Sequence, residues 1–300
     1  MGLNLGYACI NMELRKKNIY TGRTMIRRTF DAKGLPYVSE LALANVRDLI
    51  EIIKWNYSKG IKVYRMSSSL FPWMSEYEFT DLPDYGKICI LLQGAGNLAK
   101  KYGQRLSFHP GQFCVLASPK EKVVTAAINE IDKSAQIMDL MGLPKSPAAK
   151  INIHVGGAYG DKLSAMQRFC KNFKRLKDSA QARLTVENDD KGNMFGVKDL
   201  YNNVHKVIGV PIVFDFHHHK FCNPEGFTEE GALRLALSTW PENIKPCTHY
   251  SESRREEKLD ESIMKQAHSD YINKVPETYG LDFDCVVEAK AKEKSIEKFF

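Results

Sequence analysis

Eight short apolar runs, each bounded by turn residues and separated by longer stretches of helical period, constrain this chain more than any other feature. The runs are GLNLGYAC, IKVYRMS, RLSFHP, KINIHVGG, ARLTVEN, PIVFDFH, IKPCTHYS and DFDCVVEAK. Between them SELALANVRDLIEIIKWNYSKG, YGKICILLQGAGNLAKKYG, EKVVTAAINEIDKSAQIMDLMG and DKLSAMQRFCKNFKRLKD read as amphipathic helices, the first and third closing on a glycine that suits a helix C-terminus. Strand and helix in alternation imply a parallel sheet, and eight units is the number that closes a (β/α)8 TIM barrel. No Gly/Ser linker, low-complexity tract or fixed-period repeat divides the 300 residues, so 1–300 reads as a single α/β domain. The Lys-rich end AKAKEKSIEK reads as a solvated tail or a last helix.

A TIM barrel carries its chemistry at the C-terminal ends of its strands, so the residue that ends each run is the informative one. Strand three ends at His109, four at His154, five at Glu187, six at Asp215 with His217, His218 and His219 just beyond, seven at His249 and eight at Glu288. A single histidine beside an apolar strand is more often structural than a ligand. Here six successive strands deliver His or carboxylate to one face. Three acids at the ends of apolar runs need partners, because a buried carboxylate costs several kcal/mol unless paired or metal-bound. No Arg or Lys stands at neighbouring strand ends to neutralise all three, whereas the histidines are there.

His with carboxylate and no Cys cluster suits Zn²⁺, Mn²⁺ or Fe²⁺ better than a structural Cys₄ zinc or an all-oxygen Ca²⁺ site. A catalytic ion takes about three protein ligands and this face offers more than two such sets, so two or three ions bridged by Glu187 or Asp215 are expected. Two ions about 4 Å apart lower the pKa of a bound water and stabilise the leaving oxygen of an in-line phosphodiester displacement. Three histidines in a row on an extended segment alternate in direction and cannot all face one ion. His218, three residues after Asp215, is the one expected to share its metal, with His217 and His219 orienting ligands or touching phosphate. His205 reads as structural, and spacing leaves His268 undecided.

Lys plus Arg exceed Asp plus Glu by seven, a mild excess that favours approach to a phosphate polymer without demanding it. Seven cysteines without a CxxC pair fit a reducing, intracellular compartment. The N-terminal apolar run is too short for a secretory segment, and no run approaches a membrane span.

The chain resembles the UV damage endonuclease family through GY near the start, YRMSSSLFP, SFHPGQF, NIHVGG, TVENDD, FDFHHH, CTHYSES and VVEAKAKE, collinear and covering nearly its whole length. That family is itself similar to endonuclease IV, a three-metal TIM barrel that cuts beside abasic sites. The resemblance implies that His109, His154 and Glu187 hold one ion, that Glu187, Asp215, His249 and Glu288 hold a second, and that His218 and His268 belong to a third, with Mn²⁺ the usual metal and Zn²⁺ or Mg²⁺ possible. Glu187, Asp215 and Glu288 would be the catalytic carboxylates. It further implies a monomer that nicks double-stranded DNA on the 5′ side of UV photoproducts, by attack of a metal-bound hydroxide. Gln112 and Phe113 would wedge into the duplex while the damaged bases turn outward, and Tyr7 would line the pocket that receives them; without the resemblance, Phe113 reads as core.

Two positions depart from the family. Cys247 stands where some members carry a modified, metal-bridging lysine, and Ser67, Ser68 and Ser69 stand where some carry a histidine, phosphate contact being the milder reading for the serines. The alternatives that the sequence leaves open are an abasic-site endonuclease of the endonuclease IV type, a TIM-barrel sugar isomerase, and a lesion-binding protein without catalysis. The three acids argue against the last.

Overall fold

The computed structural model describes residues 2–300. Each of the eight apolar runs contains a strand: β1 Asn4–Ala8, β2 Val63–Arg65, β3 Arg105–Ser107, β4 Ile151–Ile153, β5 Leu184–Glu187, β6 Ile212–Val213, β7 Cys247–Tyr250 and β8 Asp284–Val287. All pairings between them are parallel. The ladders form two arcs, one of five strands in the order β3-β2-β1-β8-β7 and one of three in the order β4-β5-β6. Single parallel bridges, Phe108 to Ile151 and Asp215 to His249, join the arcs at both ends. The result is a TIM-barrel ring whose hydrogen bonding thins to one bridge at two seams, rather than eight equal ladders. At the β1–β2 contact a side chain on Gly6 would collide with the Val63 carbonyl, so only glycine permits that approach.

The helices pack outside. The first four are α1 Met12–Arg15, α2 Arg27–Ser58, α3 Tyr85–Lys101 and α4 Glu121–Leu140, followed by α5 Lys162–Phe173. Gly34, at φ +61°, and Pro36 kink α2 near its start. Gly60 and Gly142 follow α2 and α4 with positive φ, as the glycine signals predict, and Gly103 does the same after α3. One large apolar cluster lies between strands and helices. A small second one, with Ala8, Val63, Val213, Cys247 and Val286, draws on five strands. Among the described residues no helix is long and apolar enough to cross a membrane.

The C-terminal stretch, read as a solvated tail or a last helix, forms short helical turns rather than a solvated tail. Glu293, Ser295 and Ile296 are buried in short 3-10 turns, Lys292–Ser295 and Glu297–Phe299. The Glu293 carboxylate accepts from the backbone N–H of Met12 and Glu13, both at 2.8 Å, and so caps α1. The lysines of this stretch are spaced so that Glu293, Ser295 and Ile296 turn inward between them.

Candidate metal centre

Side chains two apart on a strand share a face, so β5 presents Thr185 and Glu187 to the same side, β4 presents Lys150, Asn152 and His154 around its ends, and β7 presents Cys247 and His249. At the C-terminal rim these series converge on Glu187. His249 Nδ1 lies 3.1 Å from Glu187 Oε2, His109 Nε2 3.2 Å and His154 Nε2 3.9 Å from the same oxygen, while His218 Nδ1 is 3.4 Å from Oε1. Asn152 also donates to Glu187 and is held by Thr185, whose hydroxyl donates to its Oδ1 at 2.8 Å. Two sets of ligand atoms are tight enough for an ion, His109–Glu187–His249 and His154–Glu187–His218.

Glu288 closes the ring from β8, with Oε1 3.2 Å from His249 Nδ1 and Oε2 3.8 Å from His268 Nδ1. Asp215 Oδ2 stands 3.9 Å from His218 Nε2, and Asp215 Oδ1 accepts from the N–H of His217 and His218. Asp215 therefore caps a short helix, Phe216–His219, and the histidine triplet is helical rather than extended. About 100° per residue separates its rings, so His218 alone reaches Glu187. His217 Nε2 lies 3.2 Å from the carbonyl of Gln266, in the segment that carries His268, and His219 packs on Phe214 away from the rim. His205 hydrogen-bonds the Val210 carbonyl, a structural role as expected.

The donor set fits divalent ions on an observation of the site itself. Asp215 Oδ2 and the Nδ1 atoms of His154, His249 and His268 are buried without an aligned hydrogen-bond partner, although carboxylate oxygens or imidazole nitrogens stand 3.0 to 3.9 Å from each of these side chains. Polar atoms crowded together in this way could serve as co-ligands around shared points.

Electrostatics follow from burial and from this crowding. Burial opposes charge on His154, yet Glu187 and Asp189 outweigh it and push its pKa up to about 10; for His218 the same contest with Asp215 and Glu187 ends at about 9. Burial pushes His249 down to about 4, with Lys150 adding to the effect, and lowers His109. Burial raises Asp215 to about 6, with His218 acting in the opposite sense. Glu187 and Glu288 stay well below the usual carboxylate range: burial opposes their charge, but His249 and His154 around the first and Arg65 beside the second prevail.

Arg65 and Lys150 escaped sequence reasoning. Arg65, at the end of β2, makes an ion pair with Glu288, so one of the three acids does have a cation at a neighbouring strand end. Lys150, just before β4, is wholly buried and places Nζ 3.0 Å from His249 Nε2; burial pushes its amine below the usual lysine range. Counting back by two from His154 would have put Lys150 on the inward face.

Above the ring lies a cavity of about 510 Å³ whose wall includes Arg65, His109, Gln112, His154, Lys191 and Glu288. Phe113 stands 82% exposed beside it, which corrects its reading as core. Gly156, at φ +105° on the cavity wall, takes a conformation few other residues adopt. Tyr7 is not on the wall of this cavity: its ring is buried against Tyr64 and its hydroxyl donates to Asn56 and accepts from Asn11. Ser67 accepts from the N–H of Ser69 and closes the turn after β2.

The UV-endonuclease UvdE family matches residues 3–300. A UV-damage endonuclease of Schizosaccharomyces pombe is 36% identical over 97% of this chain, which spans about half of that relative's length. The crystal structure of SacUVDE superposes with a TM-score of 0.84 at 30% identity, covering 99% of this chain and 96% of that one. Endonuclease IV from Thermus thermophilus, at 11% identity and a TM-score of 0.55 over 84% of this chain and 90% of that one, shares the fold.

Proposed function

The chain belongs to the UV-endonuclease UvdE family, and from that premise we propose that it is a metal-dependent phosphodiester hydrolase, acting as a single-domain monomer, that nicks double-stranded DNA on the 5′ side of UV photoproducts. Cyclobutane pyrimidine dimers and 6-4 photoproducts are the lesions meant. The observation that carries this reading is the convergence of four histidines on the single carboxylate of Glu187 beneath an open cavity.

Two or three divalent ions, Mn²⁺ foremost, would be held by His109, Glu187 and His249 and by His154, Glu187 and His218, with Asp215, Glu288 and His268 completing the sets. When bound, such ions supply Lewis-acid charge at the scissile phosphate and lower the pKa of water. The chain's own residues supply the rest. Asn152 and Thr185 fix the Glu187 carboxylate, so it need not reorganise as charge arrives. Arg65 and Lys191 bring positive charge to the cavity wall, where backbone phosphates of DNA would pass. Phe113 offers an aromatic face in solvent and Gln112 a neighbouring amide, a pair able to fill the gap left when a distorted dinucleotide turns out of the stack.

The test is nicking of end-labelled duplexes carrying one cyclobutane dimer, one abasic site or no lesion, with Mn²⁺ and with Glu187→Gln as control. Incision 5′ to the dimer that disappears in the variant is the expected result. Incision at the abasic site alone would move the protein to the endonuclease IV type of activity, and no incision with any divalent ion would overturn the reading.

A further inference from the structure

After β4 the chain reverses at residues 158–161, a turn closed by the Asp161 N–H donating to the Ala158 carbonyl at 3.0 Å. Its two central residues, Tyr159 and Gly160, stand at φ +51° and +82°. A β-carbon crowds the backbone there, so glycine, asparagine and aspartate are the residues that fill such places. Tyrosine is held in this turn against its preference. Its ring lies on Gly157, where an added β-carbon would stand 3.0 Å from Cζ, and the Arg168 guanidinium of α5 lies 5.6 Å from the ring centroid. With both contacts made, the side chain remains 51% exposed. Burial of half a side chain is a weak return for a strained backbone, and residues that break a local rule in this way cluster where a protein meets its ligand.

Gly156 and Gly157 form part of the wall of the cavity above the ligand ring, which puts Tyr159 at its rim. A side chain on Gly156 would collide with Val115, two residues after Phe113. Arg168 Nε donates to the Ala117 carbonyl at 2.8 Å, in the loop that carries Gln112 and Phe113. Asp161 accepts from the N–H of Ser164 at 3.1 Å and caps α5. The turn is thus fixed to a helix on one flank and to the Phe113 loop on the other.

We propose that Tyr159 is a specificity-determining residue of this site, whose ring stacks on a nucleobase that has turned out of the duplex. This rests on the DNA-nicking reading above. A base that leaves the helix gives up its stacking neighbours, and an aromatic ring at the cavity rim restores one of them. The ring is already held before DNA arrives, so little freedom is lost when the base docks. Phe113 and Tyr159 divide the work: the first enters the gap in the stack, and the second receives what left it. Intact duplex offers no turned-out base, so Tyr159 discriminates between substrates and adds nothing to general affinity.

The experiment compares wild type with Tyr159→Asn and Tyr159→Phe. Asparagine tolerates a positive φ and removes the ring, whereas phenylalanine keeps the ring without its hydroxyl. Single-turnover nicking of a cyclobutane-dimer duplex with Mn²⁺, run against enzyme concentration, gives the half-saturating concentration. Fluorescence anisotropy gives the affinity for the undamaged duplex, and thermal unfolding the stability. The expected result for Asn is a half-saturating concentration raised about 10- to 100-fold, affinity for the undamaged duplex within about threefold of wild type, and a melting temperature no more than about 2 °C lower. Phe should match wild type within about threefold in both binding measures. An Asn variant that saturates like wild type overturns the proposal, as does one that loses affinity for damaged and undamaged duplex alike, the mark of a general backbone contact. A Phe variant as weak as Asn overturns it too, because the hydroxyl and not the ring would then carry the contact. An Asn variant that unfolds well below wild type identifies a ring kept for packing and has the same force. A wild type that nicks no dimer duplex removes the proposed function itself, a failure visible before any variant is compared.

Discussion

Replacing Glu187 by glutamine keeps the shape of a buried side chain and removes one negative charge from the point where His109, His154, His218 and His249 meet. Breaking a buried charged contact by removing one partner costs about 3–5 kcal/mol, or roughly two to three and a half decades in an equilibrium constant. Both sets of ligand atoms include this carboxylate, so the loss falls on two ions at once. The two losses together reach about four decades at their lower bound, the appropriate bound because the amide oxygen can still ligate weakly. Single-turnover nicking of a dimer-containing duplex at a fixed, subsaturating Mn²⁺ concentration should therefore slow by at least about 10⁴-fold, with Mn²⁺ affinity falling at least about 100-fold. Thermal unfolding in chelator, run beside it, separates a lost centre from a lost fold. A rate within about tenfold of wild type, in a variant that is folded, would refute the reasoning that Glu187 is the shared ligand.

Other perturbations probe different parts of the molecule. Phe113→Ala touches an exposed ring, so the melting temperature should stay within about 1–2 °C while discrimination between dimer and undamaged duplex falls about 10- to 100-fold, the worth of one base–aromatic stack; unchanged discrimination would remove Phe113 from lesion recognition. Glu293→Ala strips the buried cap from α1 and should cost about 1–3 kcal/mol by chemical denaturation, whereas a solvated tail would give no change. His154 and His218 have folded-state pKa values raised to about 10 and about 9, so the stability they contribute is complete below about pH 6.5 and is lost as pH rises through 9 to 10. The melting temperature in chelator should fall over that range and that of the Mn²⁺-loaded protein should not, because ions displace those protons; parallel curves would contradict the assignment. DNA affinity should weaken steeply between low and moderate salt, as phosphate contacts release counterions, and a flat response would argue against a nucleic-acid substrate.

The strands and the residues that end them were legible because burial on both faces forces each run to be apolar until it reaches the rim, so His109, His154, Glu187, His249 and Glu288 stand out as interruptions. Less could be read beyond the rim. The histidine triplet looked extended because it continues an apolar strand, and only the Asp215 side chain, accepting two backbone N–H groups, turns it into a helix. The family resemblance, not a spacing in the chain, linked Tyr7 to the pocket, and Tyr7 is one residue out of phase with the inward Gly6 and Ala8 and points to Asn56 on α2. Lys150 and Arg65 were missed for the opposite reason. Their partners come from β7 and β8, and a contact across a barrel leaves no spacing signal in the chain. The C-terminal segment misled through composition, since lysines alternating with buried Glu293 and Ile296 look like a solvated run when averaged.

The two seams have a consequence for how the barrel breathes. His109, His249, Glu288 and His268 belong to the five-strand arc, and His154, Glu187, Asp215 and His218 to the three-strand arc, so the ligand residues straddle the places where the ladder is thinnest. An ion held by His109, Glu187 and His249 would rivet one arc to the other. Amide hydrogens at the seams, those of Phe108 and His249 among them, should then exchange with deuterium as a separate, faster class in chelator and merge with the barrel's slowest class on loading, making the protection of two backbone amides a gauge of ion occupancy that needs no DNA at all.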